Sequence, residues 1–275
     1  ARPDLEKAGE NPQITLAEKP LQPIEKGMAG PGLLAYVITS KFADYLPLYR
    51  LQNIFGRAGF EIDRSTMCVW AGDVADLVKP VYDAMVQRVL ASQVIATDDT
   101  IMPMLDVGRC RQARMWVYRG DKQNPFNIFD FTLSRSRDGP AAFLADYQGT
   151  LLADAYGGYD GIAIEKSLVL AGCWAHGRRK VVDSHDLCPE IAGPILLRIR
   201  RLFAIEEPIK NWEPERRLAV RQEKSMPVLA ELHELLLSGK QKLLPKHPLA
   251  QAIGYLLNQW KPLNTFVMDG AVDID

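Results

Sequence analysis

Apolar residues recur at helical spacing from Leu33 onward: Leu33, Leu34, Val37, Ile38, Phe42 and Tyr45 fall on one face of a predicted helix. Pro47 restarts a second helix through Leu48, Leu51 and Phe55, and Gly59 stops it. Asp63 or Ser65 then caps a short helix through Met67, Val69 and Trp70. A longer helix follows over about 75–90, with Pro80 as a kink or restart. From Val94 the period changes to that of strands, expected over 94–96, 115–118, 127–133, 151–154 and 167–173. A short helix through Ala141, Phe143, Leu144 and Tyr147 follows Gly139-Pro140. After Pro189 the spacing is helical again: Ile195, Ile199, Leu202 and Phe203, then Leu229, Leu232, Leu235 and Leu236, then Leu249, Ile253, Leu256, Leu257, Trp260 and Leu263.

This order predicts an extended lead-in over 1–31, a helical block over 32–92 and a mixed α+β domain over 93–275, with a helical insertion at about 189–248. The opening stretch through Gly32 has five prolines, four glycines and no apolar period. Within the helical block, Tyr49, Gly59, Arg64-Ser65-Thr66 and Trp70 have the spacing of a helix–turn–helix, with Arg64 at the start of a recognition helix. A plain helical bundle accounts for the same residues.

Composition narrows the class. A chain of 275 residues, 47% hydrophobic and 24% charged, is ordinary globular material, which excludes disorder, collagen and small disulfide scaffolds. No window approaches 18 consecutive apolar residues, so no membrane span is expected, and the charged first twenty residues do not read as a signal peptide. A cytoplasmic protein is the expectation. Lys and Arg total 33 against 34 Asp and Glu, a net charge of −1, which does not declare a nucleic-acid binder. Distribution matters more: Arg109 to Arg137 contains seven basic residues and two acidic ones. Charge alone leaves this run as either an anion-facing strip or a solvated hairpin rim. Cys68, Cys110, Cys173 and Cys188 include no C-x-x-C pair and are expected as reduced, mostly buried thiols.

Two acidic positions follow apolar strands directly. Asp98, with Asp99, is expected to end the first strand, and Asp154 the fourth. Ligands gather at the carboxyl ends of strands in open α/β sheets. If those strands are neighbours, Asp98 and Asp154 face one another and suit a hard, oxygen-seeking cation such as Mg²⁺ or Mn²⁺. Turn or capping roles account for either acid taken alone. Trp116 and Tyr118 read as core and sheet-face residues, with base stacking the alternative. His233 and His247 have no constellation around them and receive no role.

Several blocks carry a family resemblance. Thr97-Asp98-Asp99-Thr100, Leu152 to Asp160 (LADAYGGYD) and Cys173 to Lys180 (CWAHGRRK) are similar to the catalytic blocks of insertion sequence 66 family transposases. Ile24 to Leu34, Leu46 to Arg50, Arg64-Ser65-Thr66 with Trp70, and Ala252 to Trp260 resemble that family's flanking segments, so the resemblance runs from about residue 24 to the terminus. It implies a ribonuclease-H-like fold with a mixed five-stranded sheet and an Asp-Asp-Glu metal triad. Asp98 resembles the first acid, Asp154 the second, and Asp99 the first acid's acidic neighbour. The implied chemistry is two-metal phosphodiester cleavage at transposon ends followed by strand transfer into target DNA. The implied partners are double-stranded DNA and further copies of the chain, in a bacterial, nucleoid-associated setting.

Cys173 and His176 resemble an accessory Cys-x-x-His element that shapes such a site; half a zinc site is the less favoured reading, since no complementary pair exists. Arg178, Arg179 and Lys180 beside it are placed to neutralise phosphates, and Arg64 and Arg114 are further DNA-binding candidates. The helical insertion is expected over the active site. The family's third acid is a Glu in Asp-Asn-Asn-x-x-Glu-Arg, of which Asp275 resembles the opening Asp; the given sequence stops short of that Glu and lacks the family's cysteine-rich zinc-binding segment. The expectation is a core region impaired in strand transfer. The rival readings are a DNA-binding transposase remnant without catalysis, or another nuclease on the same fold.

Overall fold

The computed structural model describes residues 22–24 and 27–275. The lead-in expected over 1–31 and the leader reading of the first twenty residues therefore fall largely outside the described residues. The chain divides into two compact units, Ala1–Tyr82 and Asp83–Asp275.

In the first unit, α1 (Pro31–Phe42) opens on a proline, whose missing N–H is no loss at a first helical position. α2 (Leu48–Arg57) ends in a Schellman-type turn: the Phe60 N–H bonds the Phe55 carbonyl at 2.9 Å, and Gly59 takes the positive φ of +83° that the turn requires. Val37, Leu51 and Met67 are fully buried, with Leu33, Leu48, Phe55 and Trp70 against them. The short helix and the longer one expected after Asp63 are a single helix, α3 (Arg64–Leu90), with Pro80 inside it. A proline removes one internal hydrogen bond, which need not end a helix of this length.

The second unit is built on a five-stranded mixed sheet in the order β3-β2-β1-β4-β5. β1 (Val94–Asp106), β2 (Arg109–Arg119) and β3 (Asn127–Thr132) form an antiparallel meander. β4 (Thr150–Ala153) and β5 (Val169–Gly172) run parallel to β1. Helices α4 (Asp138–Phe143), α5 (Gly157–Lys166) and α6 (Trp174–Asp183) alternate with these strands. Then come α7 (Pro189–Glu206), α8 (Pro214–Val220), α9 (Met226–Lys242), α10 (Pro248–Asn258) and α11 (Trp260–Leu263). The α+β class holds, and the sheet order with its helices is consistent with a ribonuclease-H-like fold.

Strand alternation divides the core. Ile95, Trp116, Tyr118 and Leu151 pack with Tyr159 and Ile162 of α5 on one side. Val94, Leu152 and Ala171 pack on the other side with Trp174, Ile195, Ile199, Leu232 and Ile253. The segment read as an insertion thus supplies much of one core layer. Trp116 and Tyr118 are fully buried core residues, and the Trp116 indole N–H donates to the Thr132 hydroxyl at 2.8 Å. Of the cysteines, only Cys188 is buried; Cys68 and Cys110 are exposed and Cys173 lies between, so the expectation of mostly buried thiols fails. Cys110 sits where β1 and β2 project beyond their partners, out of reach of the core.

A buried ionic network ties the last turns to the helical layer. The fully buried Arg221, in a π-helical turn over Arg221–Ser225, donates from Nε and Nη2 to both Glu206 oxygens at 2.8 and 2.7 Å. Its Nη1 donates to the Phe266 and Asp269 carbonyls at 2.7 and 3.1 Å. Arg217, also buried, donates to Asp273 at 2.7 Å. The backbone beyond Asp273 reaches the start of α6, where the Trp174 N–H bonds the Ile274 carbonyl at 3.0 Å.

Candidate active site

The parallel ladder of β1 and β4 ends at the pair Ala96–Leu152. Two residues further along both chains stand Asp98 and Asp154, so the register brings them to one level at the carboxyl end of the parallel half of the sheet. Asp98 does not end its strand, as the sequence had suggested. β1 continues to Asp106 because β2 pairs with it along its whole outer length, from Ala96–Arg119 to Asp106–Arg109.

The three aspartates have different surroundings. The Asp98 side chain is 55% exposed; Oδ1 accepts the Asp99 N–H at 2.8 Å, and Oδ2 lies 3.9 Å from His176 Nε2. The Asp154 side chain is 24% exposed, with Oδ1 accepting the Tyr156 N–H at 3.0 Å. The Asp99 side chain, one position from Asp98 and so on the opposite side of the strand, is only 3% exposed. Arg114 donates to its Oδ2 at 2.8 Å, and Arg135 donates to its Oδ1 from Nε and Nη2 at 3.1 and 2.8 Å. A buried carboxylate needs such partners, and here guanidinium groups supply them.

Arg135 is also tied elsewhere. Its Nη2 lies 3.7 Å from Asp154 Oδ2, and its guanidinium sits 4.5 Å from the centre of the Tyr156 ring. The Tyr156 hydroxyl donates to the Arg135 carbonyl, which closes the loop after β3 onto the loop after β4. The hydrogen bond that Arg135 donates to Asp99 raises the Arg135 pKa above its ordinary value.

On the other side, Cys173 precedes α6, and its N–H bonds the Ala153 carbonyl at 3.2 Å. Burial pushes the Cys173 thiol up, and the charges of Asp275 and Asp98 add to the effect, which keeps it in the neutral, poorly ligating form near pH 7. His176 stands in the first turn of α6, with its Nδ1 buried and without a hydrogen-bond partner among the described residues. Burial, reinforced by Asp273, raises the Asp275 carboxyl as well. Tyr255 of α10 is pushed up by burial, then by the Asp154 charge. Among the described residues no group of three or more His, Cys, Asp or Glu is arranged to hold a metal ion.

Arg178, Arg179 and Lys180 are exposed on α6, Lys180 with its ammonium 4.7 Å from the Tyr255 ring centre. Arg114 is committed to Asp99 and mostly buried, and Arg64 is exposed in the first unit. Sequence context alone gives Arg135 no individual role. Alternation gives the missing signal: in an Asp-Asp doublet within a strand, one carboxylate must turn away from the other and needs its own cations.

The site residues thus place carboxylates at the end of the central parallel strands, on an α+β sheet whose order is consistent with a ribonuclease-H-like fold. The chain belongs to the IS66 transposase family, whose model matches residues 26–275. It is similar to three uncharacterized proteins of Sinorhizobium fredii (strain NBRC 101917 / NGR234). It is 34% identical to y4jD over 95% of this chain and 54% of that protein. To y4qI it is 32% identical over 95% and 52%, and to y4hP 30% over 94% and 51%. The chain spans about half the length of the curated relatives it matches. Among the described residues no helix is long and apolar enough to cross a membrane.

Proposed function

We propose that this chain is the catalytic core region of a DNA transposase that cuts and joins DNA at insertion-sequence ends, with Asp98 and Asp154 as its metal-holding carboxylates. The observation that carries the reading is the register, which sets these two acids level at the end of the β1–β4 ladder. Their chemistry fits a hard divalent cation: among the described residues, Asp98 Oδ2 has no closer ionic partner than His176 at 3.9 Å, and Asp154 Oδ2 none closer than Arg135 at 3.7 Å. Mg²⁺ or Mn²⁺ bound there supplies activation of the attacking oxygen and charge stabilisation of the leaving one. Asp98 and Asp154 orient that site, Asp99 holds Arg114 and Arg135 in place, and Cys173 and His176 form the wall on the α6 side. The family resemblance puts a Glu after Asp275, whose charge is felt at Cys173, and that segment is the source of a third ligand in this reading.

The reading is tested by calorimetric titration with Mn²⁺. The chain is expected to bind weakly with two carboxylates, and Asp98→Asn and Asp154→Asn each to abolish binding. Retention of the heat in either variant would remove that acid from the site. In the protein extended through the expected Glu, the same variants should lose metal-dependent cleavage.

The DNA partner would lie along α6, whose exposed Arg178 and Arg179 neutralise phosphates in this reading, with the protein acting as a multimer on paired ends inside the bacterial cell. Arg178→Gln and Arg179→Gln are each expected to flatten the log–log salt dependence of DNA binding by about one unit. An unchanged slope in the double variant would place the DNA elsewhere. The second reading, a DNA-binding protein without catalysis, draws on the lack of a three-acid group among the described residues. Salt-sensitive binding with no cleavage by the extended protein would establish it.

A further inference from the structure

The cations around Asp99 exceed what one buried carboxylate needs. Arg114 alone gives Asp99 a charge-assisted hydrogen bond at 2.8 Å and neutralises it from a largely buried position. Arg135 brings a second positive charge, takes the other Asp99 oxygen, and directs the same Nη2 toward Asp154 Oδ2 at 3.7 Å. The set of Asp99, Arg114 and Arg135 therefore carries a net charge of +1 beside Asp154. Arg135 belongs to the loop between β3 and α4, and its side chain is 40% exposed. It is held by a ring, a carboxylate and one long ionic contact, so the contact to Asp154 can be given up while the bonds to Asp99 stay.

We infer that Arg135 is the resident counter-cation of the acid site: it balances Asp154 until a divalent ion arrives and yields that carboxylate to it. The inference rests on the metal-holding role proposed for Asp98 and Asp154. Arg135 is a positioning residue here, not a catalytic one. It makes Asp154 tolerable beside Asp99 and Asp98 without a metal, and it opposes metal entry by repulsion. A divalent ion about 5 Å from a guanidinium in a water-like dielectric is disfavoured by on the order of tenfold in affinity.

The experiment is an Mn²⁺ titration of the wild-type chain, Arg135→Gln, Arg135→Lys and Arg137→Gln. Arg137 is the control for general charge, since it lies two residues away and pairs with Glu165 at 3.1 Å. Arg135→Gln is expected to bind Mn²⁺ roughly tenfold tighter, with Arg135→Lys near wild type and Arg137→Gln changed far less than Arg135→Gln. A merely structural Arg135 would give weaker binding when removed. Unchanged or weaker binding in a cooperatively melting Arg135→Gln overturns the inference, as does an equal gain in Arg137→Gln. Binding by neither the wild type nor Arg135→Gln overturns the metal-site reading itself. The wild-type chain gives an independent readout: its Arg135 Nε–H resonance should shift with the same Mg²⁺ midpoint as metal binding, and a resonance that stays still while Mg²⁺ binds also overturns the inference.

Discussion

Glu206→Ala is expected to destabilise the second unit by about 3–5 kcal/mol, because it leaves the Arg221 guanidinium buried without its counter-charge. Arg221 is fully enclosed, and the truncation removes its two bonds at 2.7 and 2.8 Å together with the counter-charge. For a unit of this size each kcal/mol lowers the melting temperature by roughly 2–4 °C, so a thermal melt should fall by about 6–20 °C. Glu206→Met combined with Arg221→Leu should recover much of the loss, since an apolar pair of similar volume escapes the desolvation cost of both ions. Arg217, 3.6 Å from Glu206, would still keep its bond to Asp273 in that variant. A shift below about 2 °C in Glu206→Ala would show that the network contributes little.

Trp174→Ala is expected to cost at least about 3–5 kcal/mol, the range for deleting a large buried aromatic. Trp174 is fully buried at the start of α6, its indole N–H donates to the Leu263 carbonyl at 2.7 Å, and its ring meets Trp260 edge-on at 6.0 Å. Replacement by Ala opens a cavity between β5 and the last helices and leaves the Leu263 carbonyl without its donor. Trp174→Phe keeps most of the ring and loses the hydrogen bond, which predicts a loss of about 1–3 kcal/mol. Urea unfolding checks the pair: the midpoint should fall in the order wild type, Phe, Ala, with an unchanged slope. Equal midpoints for Phe and Ala would place the energy in the hydrogen bond rather than in packing.

The periodicity of apolar residues made the five strands and most helices legible, because each buries one face or one stripe. Leu151-Leu152 and Val94-Ile95 read as strands for that reason, and they are the residues that divide between the two core layers. The outer halves of β1 and β2 were not legible. Ile101, Met102 and Leu105 are exposed, so no burial pattern marks them as strand; the hairpin there is held by its ladder. The continuity of α3 is not legible either: the apolar period lapses between Trp70 and Ala75 and Pro80 suggests a kink, while one uninterrupted helix depends on the neighbours on both sides. At the site, Asp98 and Asp154 stood out from their strand context, and family resemblance added Cys173 and His176. What remained hidden was the pairing of Arg114 and Arg135 with Asp99, since it joins β1, β2 and a loop that meet only in three dimensions.

The Asp98-Asp99 doublet leaves one problem to the rest of the strand. If β1 slid by one residue against its neighbours, an aspartate would still stand in the arginine-lined niche and another would stand beside it, so the acids themselves barely distinguish the two alignments. Discrimination must come from unlike neighbours. Thr97 reaches the Tyr159 hydroxyl at 3.1 Å inside the core, a contact that Ala96 cannot make in its place. At the far end, Asp106 faces Arg109 across a two-residue turn in which Gly108 adopts a φ of +73°, so the hairpin has one inexpensive way to close. A hydroxyl in the core beside the doublet and a glycine at the distant hairpin tip thus favour one of two identical side chains as the exposed acid.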